Sequence, residues 1–129
     1  MDAKKRLIKS GDIVKVYNER GAVLGGAYVT ERIIPGSVLQ DHGARCDWII
    51  PGELDRGGSN NLISPAGVTS RHCGGEVTSG FLVEVEKVTA AQMADWKKRY
   101  PEPFKREYQP ASGVPFTAWV DEGKRIAKK

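Results

Sequence analysis

The chain has 129 residues, 40% of them hydrophobic and 28% charged, with a formal net charge of +4. That length supports one buried core and not two, and the composition is that of an ordinary folded domain, which excludes a wholly disordered chain. No apolar run approaches the ~20 residues of a membrane-spanning helix, no long apolar segment follows the charged start to form a secretory signal, and two cysteines cannot make a disulfide scaffold. A soluble, cytoplasmic domain is expected.

Charge and composition divide the chain. Residues 1–88 hold 11 Lys and Arg against 11 Asp and Glu, and 13 of the 15 glycines. Residues 89–129 hold 9 basic and 5 acidic residues, hence the whole excess, and 6 of the 10 aromatics. The first part is rich in glycine and β-branched residues; the second is basic, aromatic and punctuated by proline.

In chain order, the turn Ser10-Gly11-Asp12 leads into a short β-branched strand, Ile13 to Tyr17. Asn18-Glu19-Arg20-Gly21 is a hairpin-type turn, and a second strand, Ala22 to Val29, pairs back on the first. Gly25-Gly26 inside it marks a bulge or the close approach of another backbone. A turn at Ile33-Ile34-Pro35-Gly36 precedes a third strand, Val38-Leu39-Gln40. Residues 41–76 show no sustained period and read as a long connection, longer than loops without a function usually are. Phe81 to Val88 alternates clearly, with Phe81, Val83 and Val85 on one face. Thr89-Ala90-Ala91-Gln92 is a capping box, and Met93, Trp96 and Tyr100 form an apolar stripe on the only long helix expected, which Pro101 stops. A short second helix with Phe116, Trp119 and Val120 inward follows. The ring spacings fit packing of the tail onto a barrel better than base-stacking, so Trp96, Tyr100 and Phe104 are expected to be buried and no nucleic acid is expected as partner.

Chemistry-bearing residues are sparse. His42, Cys46, His72 and Cys73 lack the paired spacing of a zinc site. Nothing brings the Cys46 thiol to His42 as a nucleophile and base. The segment Asp55-Arg56-Gly57-Gly58-Ser59-Asn60-Asn61 concentrates glycine amides and paired donors and acceptors suited to a polar, phosphate-bearing ligand, although such loops are also common turns. The basic end, Lys124 to Lys129, reads as a solvated terminus.

The order of motifs adds what patterns do not. The run from Asp2 to Gly21 resembles the "D-A-x-x-R-G-I-x-x-G-D-x-V-x-V-x-N-x-R-G" stretch of the molybdopterin oxidoreductase, or dimethyl-sulfoxide-reductase-like, family, in its C-terminal dinucleotide-binding domain. Ile33 to Val38 resembles that domain's "I-x-P-G-x-V" turn and strand, Asn61-Leu62-Ile63-Ser64-Pro65 its "N-x-L-T" segment, and Phe81 to Val88 its closing strand. Asp41 to Arg45 and Leu54 to Gly58, with the tail, look most like the branch that includes pyrogallol hydroxytransferase and acetylene hydratase. One departure is Leu7, where the family usually has Gly.

The resemblance implies a mainly β fold, a double-psi β-barrel over residues 1–88 followed by a helical tail over 89–129. It implies that the barrel holds the pterin and guanine-nucleotide arms of a bis(molybdopterin guanine dinucleotide) cofactor, with no metal ligand in this chain. Because the family's domain carries residues ahead of the matched run, the chain is expected to be a fragment of a larger subunit, inactive and without bound cofactor on its own. Asn61 is the first cofactor-binding candidate, since a primary amide both donates and accepts. Asn60, His42, Gly43, Ser79 and Gly80 follow. Expected partners are the remaining domains of the parent subunit and an iron–sulfur electron-transfer subunit, with no membrane insertion. Two other classes remain open at this point: a free-standing barrel that binds a protein or small ligand without a metal cofactor, and a small enzyme using His42 or Asp41 as acid–base.

Overall fold

The computed structural model describes residues 2–76 and 79–128. In chain order the elements are α1 (Asp2–Lys5), β1 (Ile13–Asn18), β2 (Gly21–Gly26), β3 (Trp48–Ile50), β4 (Leu54–Asp55), a 3-10 turn (Asn60–Leu62), β5 (Val68–Ser70), β6 (Cys73–Glu76), β7 (Glu84–Lys87), α2 (Ala90–Arg99), α3 (Pro101–Phe104) and α4 (Ala118–Ala127). A mixed five-stranded sheet has the order β3-β4-β2-β1-β7, and β5 and β6 form a separate ladder. β1 pairs antiparallel with β2 on one side and β7 on the other; β4 runs parallel to β2.

Side-chain alternation explains how the sheet is buried. Val14, Val16 and Val23 point to one face, where they pack with Ile8 and Ile63 and, more loosely, with Phe81, Val83 and Val85. Leu24 points to the other face and meets Ile49, Leu54, Val88 and Trp96. β2 is therefore covered on both sides, and Val23 is fully buried.

The second face is closed by the tail. Thr89 caps α2 as the capping box predicts: its hydroxyl accepts from the Gln92 amide, and Gln92 Oε1 accepts from the Thr89 amide at 2.8 Å. The expected stripe lands on the core. Trp96 is buried, and Met93, Tyr100 and Phe104 are half-buried against the same cluster. Pro101 ends α2 and opens α3, a position where its missing amide hydrogen costs nothing. α4 comes down on the end of β2 and on Gly11 through two glycines, Gly26 and Gly123. A Cβ on Gly26 would lie 2.7 Å from the Val120 amide nitrogen, and one on Gly123 would lie 2.5 Å from that of Gly11. Gly26 thus serves the close approach of another backbone, whereas a Cβ on Gly25 would meet no atom within 4 Å, and the β1–β2 register has no bulge.

The described residues are mainly β, as expected, in a mixed sheet that is open at β3 and β7. Other expectations are corrected. No strand forms at Val38-Leu39-Gln40: Val38 and Leu39 are exposed, so no apolar face holds that segment in a ladder. The second strand ends at Gly26, and the last begins at Glu84. The connection 41–76 contains four short strands and the 3-10 turn, because pieces of two to four residues are too short to show a period. α2 is not the only long helix, since α4 also has 10 residues. Trp119 is exposed, because the Val120–Gly123 side of α4 faces the sheet and Trp119 lies about 100° around from it. Leu7 follows α1 at φ 56°, the left-handed region. A residue with a Cβ is strained there by about 1 kcal/mol, a cost that glycine avoids.

Two predictions follow from this packing. Trp96→Ala should lower unfolding stability by about 3–5 kcal/mol, measured by urea denaturation, because it opens a cavity where the tail meets the sheet. Asp12 provides a pH signature. Burial alone would raise its carboxyl pKa. Hydrogen bonds from Lys87 Nζ and the Lys9 amide, and the charges of both lysines, outweigh burial and hold it below the ordinary 3.8. A lowered folded pKa stabilises above the unfolded value and is lost as pH falls through the folded one. The Tm advantage of the native chain over Asp12→Asn should therefore shrink between about pH 5 and about pH 2; a constant difference would show that this ion pair contributes nothing.

Candidate cofactor-binding site

The site is built outward from a carboxylate. Asp55, fully buried at the end of β4, accepts from the Asp47 amide at 2.5 Å and from the Ser59 amide at 2.8 Å. These two bonds fold the chain on either side into a tight pair of turns. The fit is close enough that a Cβ on Gly57 would fall 2.0 Å from the Arg45 carbonyl oxygen. Asp47, itself buried, receives Arg56 Nε at 2.8 Å and Arg106 Nη2 at 2.5 Å. Arg56 also donates to the Arg106 carbonyl and lies 3.8 Å from the centre of the Phe116 ring. The arginine of the glycine-rich segment is thus spent on the Asp47 carboxylate and on holding the tail. Sequence spacing suggests a phosphate-cradling loop here; in the structure Asp55 and Ser59 turn inward, and exposure returns only at Asn61.

Beyond Ser59 three segments come together. Gln40 Nε2 donates to the Gly58 carbonyl at 3.0 Å. Asn60 Nδ2 reaches back to the carbonyls of Gln40 and Asp41 at 3.4 and 3.3 Å. Asn18 Nδ2 donates to the Ile63 carbonyl at 2.7 Å and, more distantly, to the Leu82 carbonyl at 3.4 Å. The loop just ahead of His42 is thereby tied to the 3-10 turn at Asn60, and Asn18 bridges Ile63, which follows that turn, to Leu82, two residues beyond Gly80.

Within this arrangement Asn61, His42, Gly43, Ser79 and Gly80 are all exposed, and Asn60 is half-buried. Asn60 serves first as the tie between loops. Its Oδ1 is the one buried side-chain polar atom, among the described residues, without a hydrogen-bond partner. Gln40 and Asn18 hold these loops together, and the sequence reading passes over both. Gln40 reads as the end of a strand that does not form, and Asn18 as an ordinary turn residue. Asp41 and His42 are both exposed on their loop, whereas acid–base chemistry calls for an enclosed site. Among the described residues no group of three His, Cys, Asp or Glu side chains is placed to hold a metal ion, and the Cys73 side chain lies outside the described residues. No described helix is long and apolar enough to cross a membrane.

The chemistry of this donor set fits a polar heterocycle bearing phosphates. The six candidates offer side-chain amides, an imidazole, a hydroxyl and backbone N–H groups, with no carboxylate among them, and Asn60 adds a buried acceptor without a partner. Comparison with known proteins identifies the family. The family model described as "Molydopterin dinucleotide binding domain" matches residues 1–80. Trimethylamine-N-oxide reductase of Haemophilus influenzae is 40% identical over 90 residues, 67% of this chain and 11% of the reductase. The large subunit of pyrogallol hydroxytransferase from Pelobacter acidigallici is 37% identical over 92 residues, 67% of this chain and 10% of that subunit. Trimethylamine-N-oxide reductase 1 of Escherichia coli K12 is 36% identical over 118 residues, 88% of this chain and 14% of the reductase, so the likeness runs into the tail. The expected likeness to pyrogallol hydroxytransferase is thus present, at an identity comparable with that of the oxide reductases. The chain spans between 10% and 14% of the length of these relatives. From the motifs, the match over residues 1–80 and these identities, the chain belongs to the molybdopterin dinucleotide-binding domain family.

Proposed function

We propose that residues 1–88 hold the pterin and guanine-nucleotide arms of a bis(molybdopterin guanine dinucleotide) cofactor inside a larger oxidoreductase or hydroxytransferase subunit, and that residues 89–129 are a tail that stiffens this wall. The observation that carries the reading is the convergence of three polar loop segments on the turn at Asn60–Leu62. When bound, the cofactor supplies the redox chemistry; the protein supplies binding and orientation. In this reading the exposed Asn61 amide donates to and accepts from a heterocycle edge. Backbone N–H groups near Gly43 and at Ser79–Gly80 offer hydrogen bonds to phosphate oxygens. His42 adds a ring N–H donor, and Asn60 keeps the first loop in place.

The free edges at β3 and β7 suit closure of the sheet into a double-psi barrel by other residues of the parent subunit. A cytoplasmic location and an iron–sulfur partner subunit rest on composition and resemblance alone.

One wall of a cleft makes only a fraction of a ligand's contacts, and that fraction must still offset the entropy cost of binding. The 129-residue chain alone should therefore retain no molybdenum on gel filtration. In the intact subunit, Asn61→Ala removes hydrogen bonds worth about 1–3 kcal/mol to a buried polar ligand. Metal content per subunit should fall while circular dichroism stays unchanged. Equal metal content would take Asn61 out of the site, and tight metal or pterin binding by the isolated chain would overturn the one-wall reading.

A further inference from the structure

The hydrogen bonds of Asn18 concern more than the hairpin in which it sits. Asn18 ends β1 opposite Gly21, and its Oδ1 accepts from the Arg20 amide at 3.0 Å, closing the turn. With the oxygen engaged on that side, Nδ2 faces the other way, toward the two carbonyls of Ile63 and Leu82. The orientation of the amide is settled by its neighbours: two acceptors need a donor, and one N–H needs an acceptor. The partners are 45 and 64 residues away in the chain.

Each partner ends a candidate cofactor segment. Ile63 directly follows the Asn60–Leu62 turn, and its amide bonds back to the Asn60 carbonyl at 3.0 Å. Leu62 rests on Gly21, where a Cβ would stand 2.7 Å from its Cγ, so the turn lies against the hairpin next to Asn18. Leu82 lies two residues beyond Gly80. Its side chain is 91% exposed and contributes no packing, so the backbone at that point depends on Phe81 and Val83 on either side and on the bond from Asn18. An open groove of about 420 Å³ beside it, lined by Tyr17, Asn18 and Leu82 among others, leaves this stretch room to shift once the bond is lost.

We infer that Asn18 is a positioning residue for the cofactor site, a single side-chain amide that sets the spacing between the Asn61 turn and the Ser79–Gly80 segment. The inference rests on the proposed cofactor reading, but the clamp itself can be measured without any cofactor. In Asn18→Asp a carboxylate oxygen replaces Nδ2 and meets two carbonyl oxygens, which reverses the interaction at nearly unchanged volume. When that carboxyl is protonated it regains a donor.

Hydrogen–deuterium exchange on the 129-residue chain tests the clamp. In Asn18→Asp at neutral pH, peptides covering residues 60–64 and 79–83 should both exchange about tenfold faster, while the β1–β2 ladder keeps its protection. After correction for intrinsic rates, the excess should shrink as pH falls through the carboxylate range, a pH profile that mere structural damage does not produce. Acceleration at only one segment, a general loss of protection, or no pH dependence would overturn the clamp. Metal content of the intact subunit tests the link to the site. Loss of metal in both Asn18→Asp and Asn61→Ala is expected. Loss in Asn61→Ala alone would overturn the positioning role, and metal retained in both variants would instead overturn the cofactor reading while the exchange result for the clamp stands.

Discussion

A carboxylate with no access to water organises this chain. Burying a charged or strongly polar group costs several kcal/mol unless donors meet it in good geometry. Asp55 is met by two backbone amides, those of Asp47 and Ser59, and each fixes a loop. From Asp47 the network continues to Arg56 and Arg106, and so to the tail. From Ser59 the chain runs straight into Asn60 and Asn61. The tail and the Asn60–Leu62 turn are thus set by opposite ends of the same short run of hydrogen bonds.

The tail is held by two means of different character. The Asp47–Arg56 pair is nearly dry, with side-chain exposures of 5% and 9%, and Arg56 is also stacked on Phe116, so salt screens it little. The pairs on the helix surfaces, Arg99 with Asp95 and Arg125 with Glu122, lie in water and contribute little to stability. Docking of α4 relies on shape. Glycine inside a helix costs about 1 kcal/mol relative to alanine. Gly123 accepts that cost because only a residue without Cβ lets the helix backbone come down on Gly11 and Ala27.

The sequence is most legible where interactions are local or periodic. The hairpin at 13–26, the capping box at Thr89 and the Met93–Trp96–Tyr100 stripe each arise from neighbours a few residues apart, and each can be read from the chain. The stretch 41–76 resists reading for the opposite reason. Its strands are two to four residues long, and its shape is set by bonds such as Arg56 to Arg106 and Asn18 to Ile63, between residues 45 to 50 apart. The candidate site divides in the same way. Asn61, His42 and Gly43 stand out by residue type and motif order, and the structure gathers their segments. Asn18 and Gln40 are ordinary turn and strand residues until their distant partners are known. Arg56 shows the converse: a residue type that suggests anion binding is committed to an internal pair.

The open edge at β7 shapes which strands can join the sheet. Three of its four side chains are charged, and Glu84, Glu86 and Lys87 are engaged by Arg6, Lys15 and Asp12 of the same chain. Such an edge discourages pairing with loose copies, because a newcomer must meet these charges as well as the backbone register. A strand tethered within the same polypeptide arrives at an effective concentration of millimolar order, without any new contact being needed. The edge therefore discriminates by connection: it stays closed to strangers at ordinary protein concentrations and open to a segment of its own chain.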